Sequence, residues 1–260
     1  MSGKTITLER VEQYFDSHHP GEPRRQVLRP MDIRLEGEEF VALVGPSGCG
    51  KTTVLNMVAG LIRPSAGKVS LDGHAPQVGD ADVGYLLARD ALLPWRTALR
   101  NVMLPMEVRG TRRNEAQARA RKILTEVGLG EYLDAYPSQL SHGMRQRVAV
   151  ARTLVMEPRT LLMDEPFSAL DAQTRLSLQQ QFVELWERVR STVMFVTHDL
   201  TEAILLADRV LVFSARPGRI CAEFRVDLER PRSLAELQGT DRFHDLFRRI
   251  WNVLRDEVHA

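Results

Sequence analysis

Cysteine is almost missing from the 260-residue sequence, and so is any surplus of charge. Two cysteines, Cys49 and Cys221, cannot build a disulfide framework, and they suit a reducing compartment. The 35 Lys+Arg nearly cancel the 34 Asp+Glu, leaving a formal charge of +1 and no basic surplus of the kind that marks nucleic-acid binding. No apolar stretch approaches the ~20 residues of a membrane-spanning helix. The first thirty residues mix Asp, Glu, Arg and paired His where a secretory signal would have an apolar run, so neither a span nor a signal is expected. Internal repeats and low-complexity tracts are missing too. What remains is the composition of a globular protein: 43% hydrophobic and 27% charged residues exclude wholesale disorder, and the length fits one large or two small domains.

Periodicity divides the chain into an α/β body with a helical interruption. KTITLERV at 4–11 alternates like a half-buried strand, and VLRPMDIRL at 27–35 is a second extended stretch. After a turn at Gly37, FVALV at 40–44 is fully apolar, as a strand buried on both faces would be. Residues 112–128 and 144–156 have helical character, within a helical segment of about 95–157. Strand-like runs return at 160–164, 192–197 and 209–214, with a helical stretch at 172–190 between the first two, an order that implies parallel β-α-β connections. Phe243, Leu246, Phe247, Ile250, Trp251 and Leu254 then recur at helical spacing, which predicts a terminal helix docked on the body.

The segment between the buried strand and the following helix carries the first chemistry. Gly45, Pro46, Ser47, Gly48, Cys49, Gly50, Lys51, Thr52 and Thr53 fit G-x-x-x-x-G-K-[ST], in the strand-loop-helix context that the motif requires. Its glycines let successive backbone N–H groups turn toward phosphate oxygens, at the positive end of a helix. Lys51 is placed to reach the β- and γ-phosphates and Thr52 to bind Mg²⁺, while Cys49 is given no chemistry of its own. A loop that holds phosphates does not hydrolyse them. TLLMDEP at 160–166 supplies an apolar strand ending in Asp164, followed by Glu165: one acid to hold the metal's hydration shell, the next to polarise an attacking water. Taken alone, that pair is a weak signal, since acids often end strands.

Four more segments make the combination specific. LSHGMRQRVAVAR at 140–152 resembles the signature sequence of ATP-binding cassette (ABC) proteins, SALD at 168–171 resembles their D-loop, and His198 in VTHD matches their switch histidine. Phe15, after VEQY, stands where the family places the aromatic that stacks on adenine, with Tyr14 its immediate competitor and plain core packing the other reading. LLPWRT at 92–97 and SARPGRI at 214–220 further resemble the importer branch serving nitrate, sulfonates, taurine or related small solutes.

The resemblance implies a P-loop ABC-type α/β fold with an antiparallel β subdomain and a helical insertion. It assigns the cassette to residues 4–228, with a helical subdomain at about 95–157, and leaves 229–260 as a C-terminal helical extension. It implies ATP and Mg²⁺ as cofactors, Thr52 and Asp164 at the metal, and Glu165, His198 and Lys51 as the catalytic set. Ser141 and Gly143 would face the γ-phosphate of an ATP held by a second copy or a homologous ATPase, so that two chains pair head-to-tail. The remaining partners implied are membrane permease subunits and, indirectly, an extracytoplasmic solute-binding protein. The place implied is the cytoplasmic face of the inner membrane, with no nucleic acid involved.

Two departures stand against that pattern. Ala88 occupies the position where the family carries a glutamine touching Mg²⁺ and water, which leaves open whether a water fills the place or Arg89 or Asp90 leans in. His142 and Met144 replace a glycine and a glutamine in the signature, and an exposed, idle imidazole is expected at His142. Arg145 and Arg147 are read as solvated charges or local ion-pair partners. The alternatives are a non-transport ABC ATPase, for which the coiled coils, paired cassettes or zinc modules are missing, and a subunit that binds ATP but hydrolyses it poorly. A GTPase lacks its N-K-x-D motif here, and neither it nor a small-molecule kinase would explain LSHGM or SALD.

Overall fold

The computed structural model describes residues 3–16, 23–168 and 170–258. Its strands are β1 (Ile6–Phe15), β2 (Arg25–Leu35), β3 (Phe40–Val44), β4 (Ala66–Leu71), β5 (Val83–Leu86), β6 (Thr160–Asp164), β7 (Thr192–Val196), β8 (Arg209–Phe213) and β9 (Ile220–Arg225). Its helices are α1 (Lys51–Val58), α2 (Ala98–Val108), α3 (Arg113–Glu126), α4 (His142–Leu154), α5 (Ala172–Val189), α6 (Leu200–Leu206), α7 (Leu234–Leu237) and α8 (Asp241–Val258). A six-stranded sheet runs in the order β5-β6-β7-β3-β8-β9, and a three-stranded antiparallel sheet in the order β2-β1-β4. Within the larger sheet the first five strands are parallel and β9 alone returns antiparallel along β8.

The central strands are apolar throughout because both of their faces are covered. Phe40, Ala42 and Val44 of β3 join one hydrophobic cluster, while Val41 and Leu43 join the other. The same period of two splits β7, with Val193 and Phe195 on the first side and Met194 and Val196 on the second. The first cluster is built by the helices α2–α6 and α8; the second by α1 and the antiparallel sheet. The result is three layers, with the parallel sheet in the middle.

Phe40 anchors the helical side. Its ring makes edge contacts with Phe182, Trp186 and Phe195 at centroid distances of 6.2, 5.4 and 5.9 Å. Trp186 is fully buried and still satisfies its indole N–H, which donates to the Ser191 carbonyl at 2.8 Å. Helix α8 docks as its stripe requires, with Phe243, Leu246 and Ile250 buried. Trp251 departs from that expectation: it lies 51% exposed, off the packed face. The segment before α7 is fastened electrostatically. The guanidinium of Arg232 is buried and donates to the carbonyls of Leu205 and Ala207, at the C-terminal end of α6.

Replacing Phe40 with alanine removes the shared partner of three aromatic rings and leaves a cavity between sheet and helices. Phe40→Ala is expected to lower stability by ~3–5 kcal/mol in chemical denaturation. A loss below ~1 kcal/mol would show that the cluster closes up without it.

Candidate functional site

The phosphate-binding sequence becomes a tight loop because β3 and α1 approach end to start. Gly50, just before α1, has φ of 104°, and a Cβ there would lie 2.4 Å from Leu28 Cδ2, so both backbone and space require glycine. The Lys51 ammonium, almost fully buried, donates to the carbonyls of Gly45 (2.8 Å) and Pro46 (2.9 Å) and lies 3.6 Å from Cys49 Sγ. Cys49 is itself buried, in keeping with a small packing residue.

A cleft of about 270 Å³ opens beside this loop. Ser47, Gly48, Gly50, Lys51, Thr52 and Thr53 line it, together with Phe15 from the end of β1, Val27, Glu165, Val196 and Arg216. Of the two neighbouring aromatics it is Phe15 that reaches the cleft, 39% exposed, while strand alternation turns Tyr14 away. Asp164 closes β6 and accepts a hydrogen bond from the Thr52 hydroxyl at 3.1 Å. Burial raises the Asp164 carboxyl above its ordinary value and the neighbouring Glu165 charge adds to this, while Thr52 and Lys51 act in the opposite sense. Glu165 follows in a left-handed backbone conformation, φ 48°, and its Oε2 lies 3.1 Å from His198 Nδ1. Hydroxyl and carboxylate oxygens at Thr52 and Asp164 are the hard donors that Mg²⁺ takes alongside phosphate and water, so the residues present fit that ion.

Ser141 and Gly143 are not brought to this cleft. Ser141 caps α4, its Oγ accepting from Met144 N at 3.2 Å, and Gly143 lies in the first turn against Thr174. His142 differs from the idle, solvent-facing imidazole expected. It is half-buried, its Nδ1 lies 3.2 Å from an Arg145 Nη2, and its Nε2 is shielded from solvent without a hydrogen-bond partner among the described residues. Arg145 is not a local charge either: its Nε reaches Asp90 at 2.9 Å, which commits Asp90 to α4 and away from the place of Ala88. Arg152 adds to that tie through the carbonyls of Asp90 and Ala91.

Three residues stand at the site that no motif assigns to it, although two of them lie within SARPGRI. Arg216 Nε donates to the Gly48 carbonyl at 2.9 Å, and Gly218 packs so closely that a Cβ would lie 2.0 Å from the Cys49 carbonyl oxygen. The SARPGRI loop is therefore a wall of the phosphate loop, a proximity that only the pairing of β8 beside β3 creates. Behind His198, Glu202 is buried, accepting from the Thr197 hydroxyl at 2.6 Å and from Gln179 Nε2 at 2.9 Å. Burial pushes its carboxyl up to about 7, with Thr197 opposing and Asp199 reinforcing, and with Arg175 and His198 also opposing.

A glycine-rich loop joining a buried parallel strand to a helix, with an acid closing a nearby strand, defines a P-loop nucleotide-binding protein. The family model described as ABC transporter matches residues 28–168. An uncharacterized ABC transporter ATP-binding protein of Methanocaldococcus jannaschii is 47% identical over 235 residues, 90% of this chain and 86% of that protein. A taurine import ATP-binding protein of Pseudomonas aeruginosa is 40% identical over 97% of this chain and 95% of its own length. Among solved structures, the dimeric post-hydrolysis state of the ATP-binding cassette MJ0796 bound to ADP and Pi superimposes with a TM-score of 0.74 at 30% identity, covering 86% of this chain and all of that one. The chain belongs to the ABC transporter family, and it is an ATPase of that class.

Glu202 offers a test through pH. Its folded-state value lies above the ordinary 4.5, so the folded protein holds that proton more tightly than the unfolded chain does. The resulting stabilisation is complete below the unfolded value and is lost as pH rises through about 7. Glu202→Gln, which cannot ionise, is expected to gain on the wild type by up to ~3 kcal/mol between about pH 5 and about pH 8. Denaturation midpoints whose difference stays constant over that range would contradict the assignment.

Proposed function

We propose that this chain is the ATP-hydrolysing subunit of an ABC importer, working as a head-to-tail dimer on a separate membrane permease. The observation that carries the catalytic part is the placement of Glu165 on the nucleotide cleft, within hydrogen-bond reach of His198 and beside the Thr52–Asp164 pair. In this reading the backbone of Gly45–Thr53 and the Lys51 ammonium bind the β- and γ-phosphates of ATP, with Phe15 stacking on the base. Glu165 orients the attacking water and accepts its proton as the water oxygen bonds to the γ-phosphorus and the bond from that phosphorus to the β–γ bridging oxygen breaks, releasing ADP. His198 holds the Glu165 carboxylate in place and stabilises charge developing on the γ-phosphate. Thr52 and Asp164 would hold Mg²⁺, which would supply charge neutralisation to the triphosphate.

Dimerisation follows from what one chain lacks at its own cleft. Ser141, Gly143 and the positive N-terminal end of α4 point to an anion, yet they line no part of the Lys51 cleft. A second copy or a homologous ATPase supplies them, and the solved dimeric cassette bound to ADP and Pi supports this arrangement. Coupling to a permease is supported by a groove of about 360 Å³ between β5, α2 and α4, which includes Leu104, Pro105 and Val108. Val108 is 80% exposed there, and Trp95 on the neighbouring loop is 71% exposed, the kind of surface apolar patch that a partner covers. None of the helices among the described residues is long and apolar enough to cross a membrane; in this reading the solute path is the permease's.

We take residues 4–228 as the cassette and 229–260 as an extension, bound peripherally at the cytoplasmic face of the membrane. Nitrate, sulfonates, taurine or a related small solute is the cargo class, on the strength of the LLPWRT and SARPGRI resemblance and of the taurine-importing relative. An extracytoplasmic binding protein would deliver it to the permease.

Glu165→Gln is expected to cut ATP turnover by about 10²-fold or more while ATP affinity stays within a few-fold. Retained turnover would remove Glu165 from catalysis. Ala88→Gln is expected to leave ATP binding intact and to alter turnover only a few-fold, because Mg²⁺ is held without that side chain. Recovery of hydrolysis in an otherwise inactive wild type would overturn this and favour the hydrolysis-impaired reading. Failure to co-purify a multi-span membrane protein would favour a non-transport ATPase.

A further inference from the structure

We propose that Arg175 is a positioning residue for hydrolysis: it ties Leu170, on the stretch between β6 and α5, to the loop that carries His198. The proposal rests on the roles given above to Glu165 and His198. Neither Arg175 nor its contacts line the nucleotide cleft, so any influence on turnover passes through the two loops.

Arg175 sits in the first turn of α5, a helix capped by Asp171, whose Oδ1 accepts from Thr174 N at 3.0 Å. Its guanidinium reaches in two directions. Nη2 donates to the Leu170 carbonyl at 2.8 Å, on the segment that follows Glu165. Nη1 donates to Asp199 Oδ2 at 3.2 Å, on the residue after His198. Nε lies 3.9 Å from Glu202 Oε1 and is buried without a hydrogen bond among the described residues. One planar fork therefore joins two loops that leave different strands, β6 and β7.

The partners are themselves held firmly, which makes the tie stiff. Asp199 divides its oxygens: Oδ1 accepts from Thr201 N at 2.8 Å and caps α6, while Oδ2 is left for Arg175. Its own N–H donates to Thr197 Oγ1 at 3.0 Å, and Thr197 in turn donates to Glu202. On the other side, Leu170 is buried, and its N–H donates to the Phe167 carbonyl at 3.2 Å.

The chemistry also explains why an arginine stands here. An ammonium is a point donor and cannot hold a carbonyl and a carboxylate at the two ends of a rigid fork. Asp199 and Glu202 are two acids within reach of one cation, so truncating Arg175 leaves both without it, and the His198 loop loses its register to the Glu165 loop. Misplacing a catalytic pair by even ~1 Å can cost about 10²-fold in rate.

The full chain, assayed for steady-state ATP turnover and for affinity toward a fluorescent ATP analogue, tests this. Arg175→Ala is expected to lower kcat about tenfold or more, with KM and analogue affinity within about twofold. Asp199→Asn, which weakens the same contact from the opposite side, should produce the same split, and Arg175→Lys should fall between wild type and Arg175→Ala. The double variant Arg175→Ala/Asp199→Asn should lose no more than the worse single change, because both remove one tie. Wild-type kcat in Arg175→Ala, or losses that multiply in the double variant, would overturn the proposal. Glu165→Gln separates the two layers of inference: if it retains turnover, the underlying site reading fails. If it abolishes turnover while Arg175→Ala is as fast as wild type, only the role of Arg175 falls.

Discussion

The whole site depends on three parallel strands ending at the same level. In the register of the large sheet Asp164 of β6 pairs with Val196 of β7, and Val196 pairs with Leu43 of β3. The residues that follow these ends are Glu165, Thr197–His198 and the Val44–Gly45 entrance to the phosphate loop. Backbone bonds extend the alignment beyond the strands, since Glu165 N donates to Val196 O at 2.9 Å and Thr197 N to Leu43 O at 3.2 Å. A slip of one residue in either pairing would turn each side chain to the opposite face of the sheet. The Thr52–Asp164 hydrogen bond, formed between residues 112 apart in the chain, exists only because this register is held.

That register is enforced by burial on both faces, and this explains which features were legible in the sequence. FVALV is apolar throughout, TLLMD and TVMFV carry the apolar runs LLM and VMFV, and each is a strand at or within one residue of its expected bounds. The helical stretch expected at 172–190 is α5 at 172–189, set by the Asp171 cap and by Phe182 and Trp186 on its inward face. Elements without such a signature were not foreseen. Strand β9, ICAEFR, is an edge strand that is nowhere fully buried, and it carries no continuous apolar run. Strand β5 is four residues long and includes Gly84, whose hydrogen faces Pro158 and Thr153 where a Cβ would lie within about 3.0 Å of both.

The site divides along similar lines. The placement of the loop 45–53 and of the Asp164–Glu165 pair was legible because strand, loop and helix are contiguous there. Long-range partners could not. Arg145 pairs with Asp90 across 55 residues and Arg216 with Gly48 across 168, and no spacing rule encodes either meeting. The same holds for His142, whose environment comes from a residue one helical turn on and from that residue's distant partner. In the folded chain Arg145 turns back over it, since the guanidinium must satisfy Asp90 and the Leu140 carbonyl together.

Glu165 shows what the framework is built to hold. A non-glycine residue with positive φ is disfavoured, and the Pro166 that follows further restricts its backbone. Holding such a conformation costs on the order of 1–3 kcal/mol and needs surroundings that over-determine it. Those surroundings are present. Glu165 N is taken by β7, and its carbonyl accepts from Ser168 Oγ at 2.9 Å. Two residues on, Phe167 is fully buried against Phe182 and Phe195. The chain is thus pinned immediately before and after the residue, and the turn must occur at Glu165 itself. A relaxed backbone there would carry the strand direction onward and take the carboxylate away from His198. The aromatic core under the helical layer therefore acts on the cleft directly: the packing that stabilises the fold also holds a single acid in a strained turn at the mouth of the phosphate loop.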